Sequence, residues 1–227
     1  MRIEHLHDWS PSIDAARALQ RELAKRVNAT TPLGAWRTVA AADVSYNKRD
    51  PILHAAVVVV EAGTLRVLER SGVSMEVRFP YVPGYLSFRE VPPLLEAFRR
   101  LETEPDVVLC DGQGLAHPRR LGLACHLGLW LDRPTVGCAK SRLIGEHDEP
   151  GPRKGDRAPL VDRGEVVGAV LRTRDRIRPV YVSPGHRCDL DGAIAVVMGT
   201  LGRTRLPEPA RWAHDHVNEL RRRATSR

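Results

Sequence analysis

Residues 107–122, Val-Val-Leu-Cys-Asp-Gly-Gln-Gly-Leu-Ala-His-Pro-Arg-Arg-Leu-Gly, constrain this chain more than any other stretch. The apolar run at its start is too short for a helix and reads as a buried strand. That strand delivers Asp111 into a glycine-rich turn that also carries His117, Arg119 and Arg120. Glycine lets backbone come close to a ligand, so a buried strand ending in an acid beside such a turn suits a metal or phosphate site. Two other carboxylates offer partners: Asp43 in Ala-Ala-Asp-Val-Ser-Tyr, and Glu90 at the end of Pro80-Tyr-Val-Pro-Gly-Tyr-Leu-Ser-Phe-Arg-Glu.

The rest of the chain alternates in period. Ser10 followed by Pro11 predicts a helix start, and Ile13, Ala16, Leu19, Leu23 and Val27 mark one helical face to about residue 28. Residues 38–46, 53–61, 64–70 and 73–78 read as strands, with Ala62-Gly63 as a hairpin turn. A proline-punctuated loop covers 79–87, and a helix follows to about 101. Strands at 106–110 and 135–139 flank a helix expected over 119–131. Residues 147–162 are rich in Pro, Gly and charge and read as an exposed loop. A strand pair at 165–171 and 179–182, a helix at 190–201 and a basic tail ending in Arg221-Arg222-Arg223 complete the pattern. Antiparallel strands first, then strand and helix in alternation, predict an α/β fold with a mixed sheet covered by helices.

At 227 residues the chain is expected to form one domain over 1–227, with the tail from about 215. Lys and Arg outnumber Asp and Glu by 35 to 28, a surplus that favours a polyanionic partner. The four cysteines are widely spaced and form no C-x-x-C pair, which argues against zinc half-sites. No run approaches a membrane span and no leader is visible, so a cytoplasmic, reduced protein is the simplest expectation.

Three acids at strand or helix ends would suit Mg²⁺, which is held by a few carboxylates together with water and phosphate oxygens. Each also has a plainer reading. Asp43 could simply end a strand. Glu90 stands three residues after Ser87, the spacing of a capping box, but Pro92 would then fall inside the first turns. The helix is therefore expected to begin only at Pro92 or Pro93, with Glu90 on the preceding turn. Lys140 follows the apolar run 135–139, where a lysine can meet a phosphate as a point charge. Asp189 and Asp191 read as cap and turn residues of the next helix. The stiff loop around Tyr81 could wedge into a base stack, or could be a packed surface loop.

Together these blocks resemble the endonuclease V family. The match includes Ala-Asp43-Val-Ser-Tyr, Pro80 to Glu90 and Asp111 to Gly122. Gly137-Cys-Ala-Lys140-Ser-Arg-Leu-Ile-Gly145, Ser183-Pro-Gly-His186, and Leu206-Pro-Glu-Pro209 with Trp212-Ala-His214 extend it, nearly end to end and in order. The resemblance implies a ribonuclease-H-like, mixed five-stranded sheet flanked by helices. It implies that Asp43, Glu90 and Asp111 bind Mg²⁺, with Mn²⁺ as substitute, and that His117, Lys140 and His214 lie near the scissile phosphate. It implies a wedge at Tyr81 and a pocket for flipped hypoxanthine lined by the backbone of Gly84, Leu86, Gly112 and Leu123. The implied activity is DNA repair: hydrolysis of the second phosphodiester 3′ to a deaminated purine, leaving 3′-hydroxyl and 5′-phosphate ends. The partner would be DNA containing deaminated bases, met by a monomer, with inosine-containing RNA as the alternative. A silent binding module on the same fold is disfavoured, since a binder gains nothing from three anions beside phosphate. His214 has a competitor in His216, two residues on.

Overall fold

Val107–Cys110 lies at the centre of a sheet, buried on both faces. The computed structural model describes residues 1–47 and 50–225. In chain order the elements are α1 (Ile13–Ala24), β1 (Thr38–Ser45), β2 (Ile52–Glu61), β3 (Val67–Glu76), α2 (Leu86–Arg99), β4 (Val107–Cys110), α3 (Leu123–Leu131) and β5 (Thr135–Ala139). There follow β6 (Arg157–Asp162), β7 (Glu165–Leu171), β8 (Val180–Pro184), α4 (Leu190–Gly199) and α5 (Glu208–Thr225). Among the described residues the strands form one eight-stranded sheet in the order β3-β2-β1-β4-β5-β8-β7-β6.

β1 runs antiparallel to β2 but parallel to β4, and β4 parallel to β5; the remaining pairs are antiparallel. The expected mixed sheet is thus present, with eight strands rather than five. β6 and β7 form a hairpin that extends the sheet beyond β8, and β6 lies within the stretch expected to be loop.

Side chains alternate across the central strands. Val39, Ala41, Val107 and Leu109 pack with residues of α4 and α5, whereas Ala40, Ala42, Val108 and Cys110 pack with α2 and α3. All four cysteines are buried and free, as small apolar residues would be. No helix among the described residues is long and apolar enough to cross a membrane.

The strands expected at 64–70 and 73–78 are one, β3, and four helices differ from expectation in their bounds. Ser12, not Ser10, caps α1, accepting from the Ala15 N–H, and the helix stops at Ala24. α3 starts only at Leu123, because Arg120 takes a left-handed φ of 57° and keeps the preceding residues in a turn. α2 runs straight through Pro92 and Pro93, so Glu90 lies on the helix itself. An interior proline costs a helix about 3 kcal/mol. Burying Val91, Leu94, Leu95 and Phe98 at about 2 kcal/mol apiece outweighs two of them. The basic tail is the end of α5, an 18-residue helix. Its charge hides a narrow apolar stripe, of which Ala213 and Val217 are buried four residues apart.

Candidate active site

The register of β1 against β4 brings two acids together. Ala42 pairs with Cys110 in the parallel ladder, so the next residues, Asp43 and Asp111, stand side by side where the strands end. By alternation both continue the face that Ala41 and Leu109 present to α5. α5 supplies the third group. His214 Nδ1 lies 2.8 Å from Asp43 Oδ2, and Asn218, one turn on, contacts His214 Nε2 at 3.1 Å while accepting from Ser45 Oγ. Donor atoms of Asp43, Asp111 and His214 all lie within 4.8 Å of one another. His216 turns away, with its ring over Gly72 of β3.

The charge balance at this cluster is unfavourable without a cation. Burial, then the neighbouring Asp111, holds the Asp43 carboxyl above its usual range. Burial pushes Glu90 up to about 7, with the charges of Asp43 and Asp111 adding to the shift. Glu90, on α2, stands near enough to feel both charges but is not one of the three clustered donors, and it accepts a 2.9 Å hydrogen bond from Tyr46. Lys140 donates to Asp111 Oδ2 at 2.5 Å. Lys140 beside Asp111, and the Arg89 guanidinium acting on Glu90, only partly offset three crowded carboxyls. The carboxylate oxygens fit a hard divalent cation, and the His214 imidazole adds one nitrogen donor to the set.

Beside the acids opens a cavity of about 470 Å³. Its wall contains Tyr81, Gly84, Leu86, Gly112 and Leu123, and extends to Glu90, Asp111, His117 and Lys140. The loop bearing Tyr81 is held from beneath. Gly84, at φ 80°, turns its carbonyl toward three donors: Arg119 Nη2 at 2.6 Å, Gln20 Nε2 at 2.9 Å and His117 Nε2 at 3.1 Å. Arg119 also stacks on Tyr85, 4.3 Å from the ring centroid. His117 is bonded to this loop rather than to the acids. Its other ring nitrogen accepts from the Arg119 N–H. Burial, then the Arg119 charge, lowers its pKa to about 4, so it is neutral at ordinary pH.

Tyr81 is half-exposed beside Tyr46, ring centroids 6.2 Å apart. On the other side of the Gly84 loop, Arg17, Arg21, Lys25, Arg119, Arg120 and Arg163 line a groove of about 760 Å³.

These features coincide with a family match. The family model for endonuclease V matches residues 21–215. The chain belongs to the endonuclease V family. An endonuclease V from Gloeobacter violaceus is 49% identical over 221 residues, covering 96% of this chain and 89% of that one. The crystal structure of endonuclease V from Streptomyces avermitilis superposes with a TM-score of 0.92 at 39% identity, covering 99% of this chain and 100% of that one. Endonuclease V from Ciona intestinalis, in complex with a 24-mer DNA containing an inosine followed by a ribo-adenosine, superposes at TM-score 0.81. That pair is 26% identical, with 93% of this chain and 98% of the other covered.

Within this endonuclease V fold some residues of the cavity and of the acid cluster carried no signal of their own in the sequence. Leu143, half-exposed at the rim, sits in a block matched for its lysine. Ser87 stands out in the sequence only by its capping-box spacing from Glu90, whereas its hydroxyl meets His126. Asn218 lies in what looked like a tail. Only the contact geometry brings these residues to the site.

Proposed function

We propose that the protein is a Mg²⁺-dependent endonuclease of DNA repair that recognises deaminated purines, deoxyinosine above all. It hydrolyses the second phosphodiester on the 3′ side and leaves 3′-hydroxyl and 5′-phosphate ends. One observation carries this reading: a single cavity, roomy enough for an extruded base, runs from the Tyr81–Gly84 loop to Asp111 and Lys140. The inosine-containing DNA bound by the Ciona relative supports it.

Asp43, Asp111 and His214 would hold the cation, with Glu90 beside them. Mg²⁺, or Mn²⁺ in its place, would supply Lewis-acid stabilisation of the phosphodiester and of its attacking water. Lys140 offsets negative charge developing on the phosphate. Tyr81 occupies the gap left by the extruded base, while Gly84, Leu86, Gly112 and Leu123 line the pocket. The Gly84 carbonyl is already engaged by three donors, so a base contact there uses the N–H. Neutral His117 braces the loop. The arginine-lined groove offers the phosphate backbone a continuation beyond the loop.

The test is a set of DNA and RNA duplexes of matched sequence, each with one inosine, incubated with Mg²⁺ or EDTA and mapped for the cut. Nicking of DNA at the second bond 3′ to the lesion is expected, and only with metal. A cut at the lesion itself would overturn the chemistry, and preferential cutting of the RNA would reassign the substrate. Tyr81→Ala should weaken binding to lesion DNA by roughly tenfold, the loss of one stacked ring, while leaving Mg²⁺ affinity unchanged. Equal loss of both would make the loop merely structural.

Protonation of Glu90 gives an independent check on the cation. Its pKa is about 7 in the folded protein against 4.5 ordinarily, so the folded state binds more protons between those values. Metal-free protein should lose stability as pH rises through that window. A cation favours the ionised form, so Mg²⁺ should raise Tm more at about pH 8 than at about pH 5. Equal gains would separate Glu90 from the cation.

A further inference from the structure

Ser87 lies in the cavity wall, and its Oγ is 2.9 Å from Nδ1 of the fully buried His126. His126 Nε2 meets His7 Nε2 at 2.8 Å, and His7 Nδ1 meets the Asp8 carbonyl at 2.8 Å. The direction of every bond in this chain follows from its last member. A carbonyl only accepts, so the hydrogen on His7 is at Nδ1. Both imidazoles are neutral: burial lowers the pKa of His7 and, more strongly, that of His126. The rings of Trp9 and Phe88 pack on His126. No carboxylate is hydrogen-bonded to either ring among the described residues. A neutral imidazole carries one N–H. His7 Nε2 therefore accepts, His126 Nε2 donates to it, and His126 Nδ1 must accept. The hydroxyl hydrogen of Ser87 is the donor that remains.

A serine hydroxyl ordinarily rotates to donate or accept as its partner requires. Here donation into the cavity would strand a fully buried ring nitrogen, a cost of about tenfold or more in equilibrium terms. Whatever part of this oxygen the cavity reaches therefore offers only lone pairs. Hypoxanthine in a nucleic acid has a single N–H, at N1, whereas adenine has a lone pair at that atom. We propose that Ser87, fixed as an acceptor by the Ser87–His126–His7 chain, is a specificity-determining residue that selects an extruded base carrying N1–H. This rests on the deaminated-purine reading above. Ser87 touches the base; His126 and His7 are positioning residues that act through it.

The test compares wild type, Ser87→Ala and Ser87→Thr on duplexes with one deoxyinosine or one deoxyribosylpurine, whose base has a lone pair at N1 and no oxygen at C6. Ser87→Ala should lower kcat/KM for deoxyinosine about tenfold and narrow the binding preference for it over the analogue by at least that factor. Ser87→Thr, which keeps the hydroxyl, should stay within about threefold of wild type. An unchanged preference in Ser87→Ala overturns the proposal while leaving the deaminated-purine reading intact. Wild type that cuts no deoxyinosine sinks that reading and this proposal with it. Long-range proton–nitrogen NMR on the unmodified protein gives a second readout that needs no activity. It should find His7 with its hydrogen on Nδ1 and His126 with its hydrogen on Nε2. His126 protonated at Nδ1, in either charge state, would overturn the assignment.

Discussion

Replacing Asp111 by alanine is expected to lower the nicking rate about a thousandfold, the scale seen when a group that stabilises transition-state charge is removed, without unfolding the protein. Asp111 stands beside Asp43 and raises the pKa of both Asp43 and Glu90, so its removal relieves repulsion within the cluster. The one attraction lost is the pair with Lys140, whose side chain is 43% exposed. Such a solvent-screened pair contributes about 1 kcal/mol or less. Activity and stability should therefore separate: nicking collapses, while Tm without metal stays within a few degrees of wild type or rises. Asp111→Asn should behave alike, since it keeps the shape and loses the charge. Single-turnover cleavage with a metal-free melt decides the matter; undiminished cutting by Asp111→Ala would remove this residue from the mechanism.

The second large effect is expected at Gly114. A Cβ placed there would come within 2.0 Å of the Pro184 carbonyl oxygen and 3.0 Å of that of Ser183. Both belong to β8 backbone and cannot swing aside as a side chain could. The Gly114 N–H also donates to Ser183 Oγ at 2.8 Å, and the Leu115 N–H to the Pro184 carbonyl. Gly114→Ala should cost about 3 kcal/mol, the upper end of overpacking in a close-packed site, which lowers Tm by roughly 6–12 °C in a chain of this size. Nicking should fall as well, because the displaced turn carries Asp111 with it. Gly34→Ala is the matched control, since a Cβ there meets nothing within 4 Å. If both variants melted like wild type, the turn would be looser than its contacts imply.

Asp111 and its turn were conspicuous in the sequence because a strand and two glycines declare themselves over a few residues. The glycines nevertheless serve more than approach to a ligand. Gly114 makes room for β8 backbone, whereas a Cβ on Gly112 would meet only the Leu123 side chain. That difference depends on a strand about seventy positions away, which no local pattern encodes. Asp43 was readable as the end of an apolar run, but its neighbour across the ladder was not, because register belongs to pairs of strands.

α2 departs from its local pattern for the opposite reason. The local rule about Pro92 and Pro93 is sound, and burial of one helical face overrides it. α5 was missed because eighteen residues rich in arginine and acids look like a solvated tail until the sheet shows where Ala213 and Val217 go. The choice between His214 and His216 follows from the same helix: one faces Asp43, and the other faces β3.

The parallel register of β1 and β4 makes the site sensitive to phase. Asp43 and Asp111 share a side of the sheet only because each follows its strand's alternation in step with the other. One residue inserted or deleted within either strand would send its acid to the opposite layer and expose the hydrophobic order of the whole strand to inversion. Substitution around the acids is a local event, but a shift of frame is a global one. The spacing along these two strands is therefore as much a part of the active site as the carboxylates it carries.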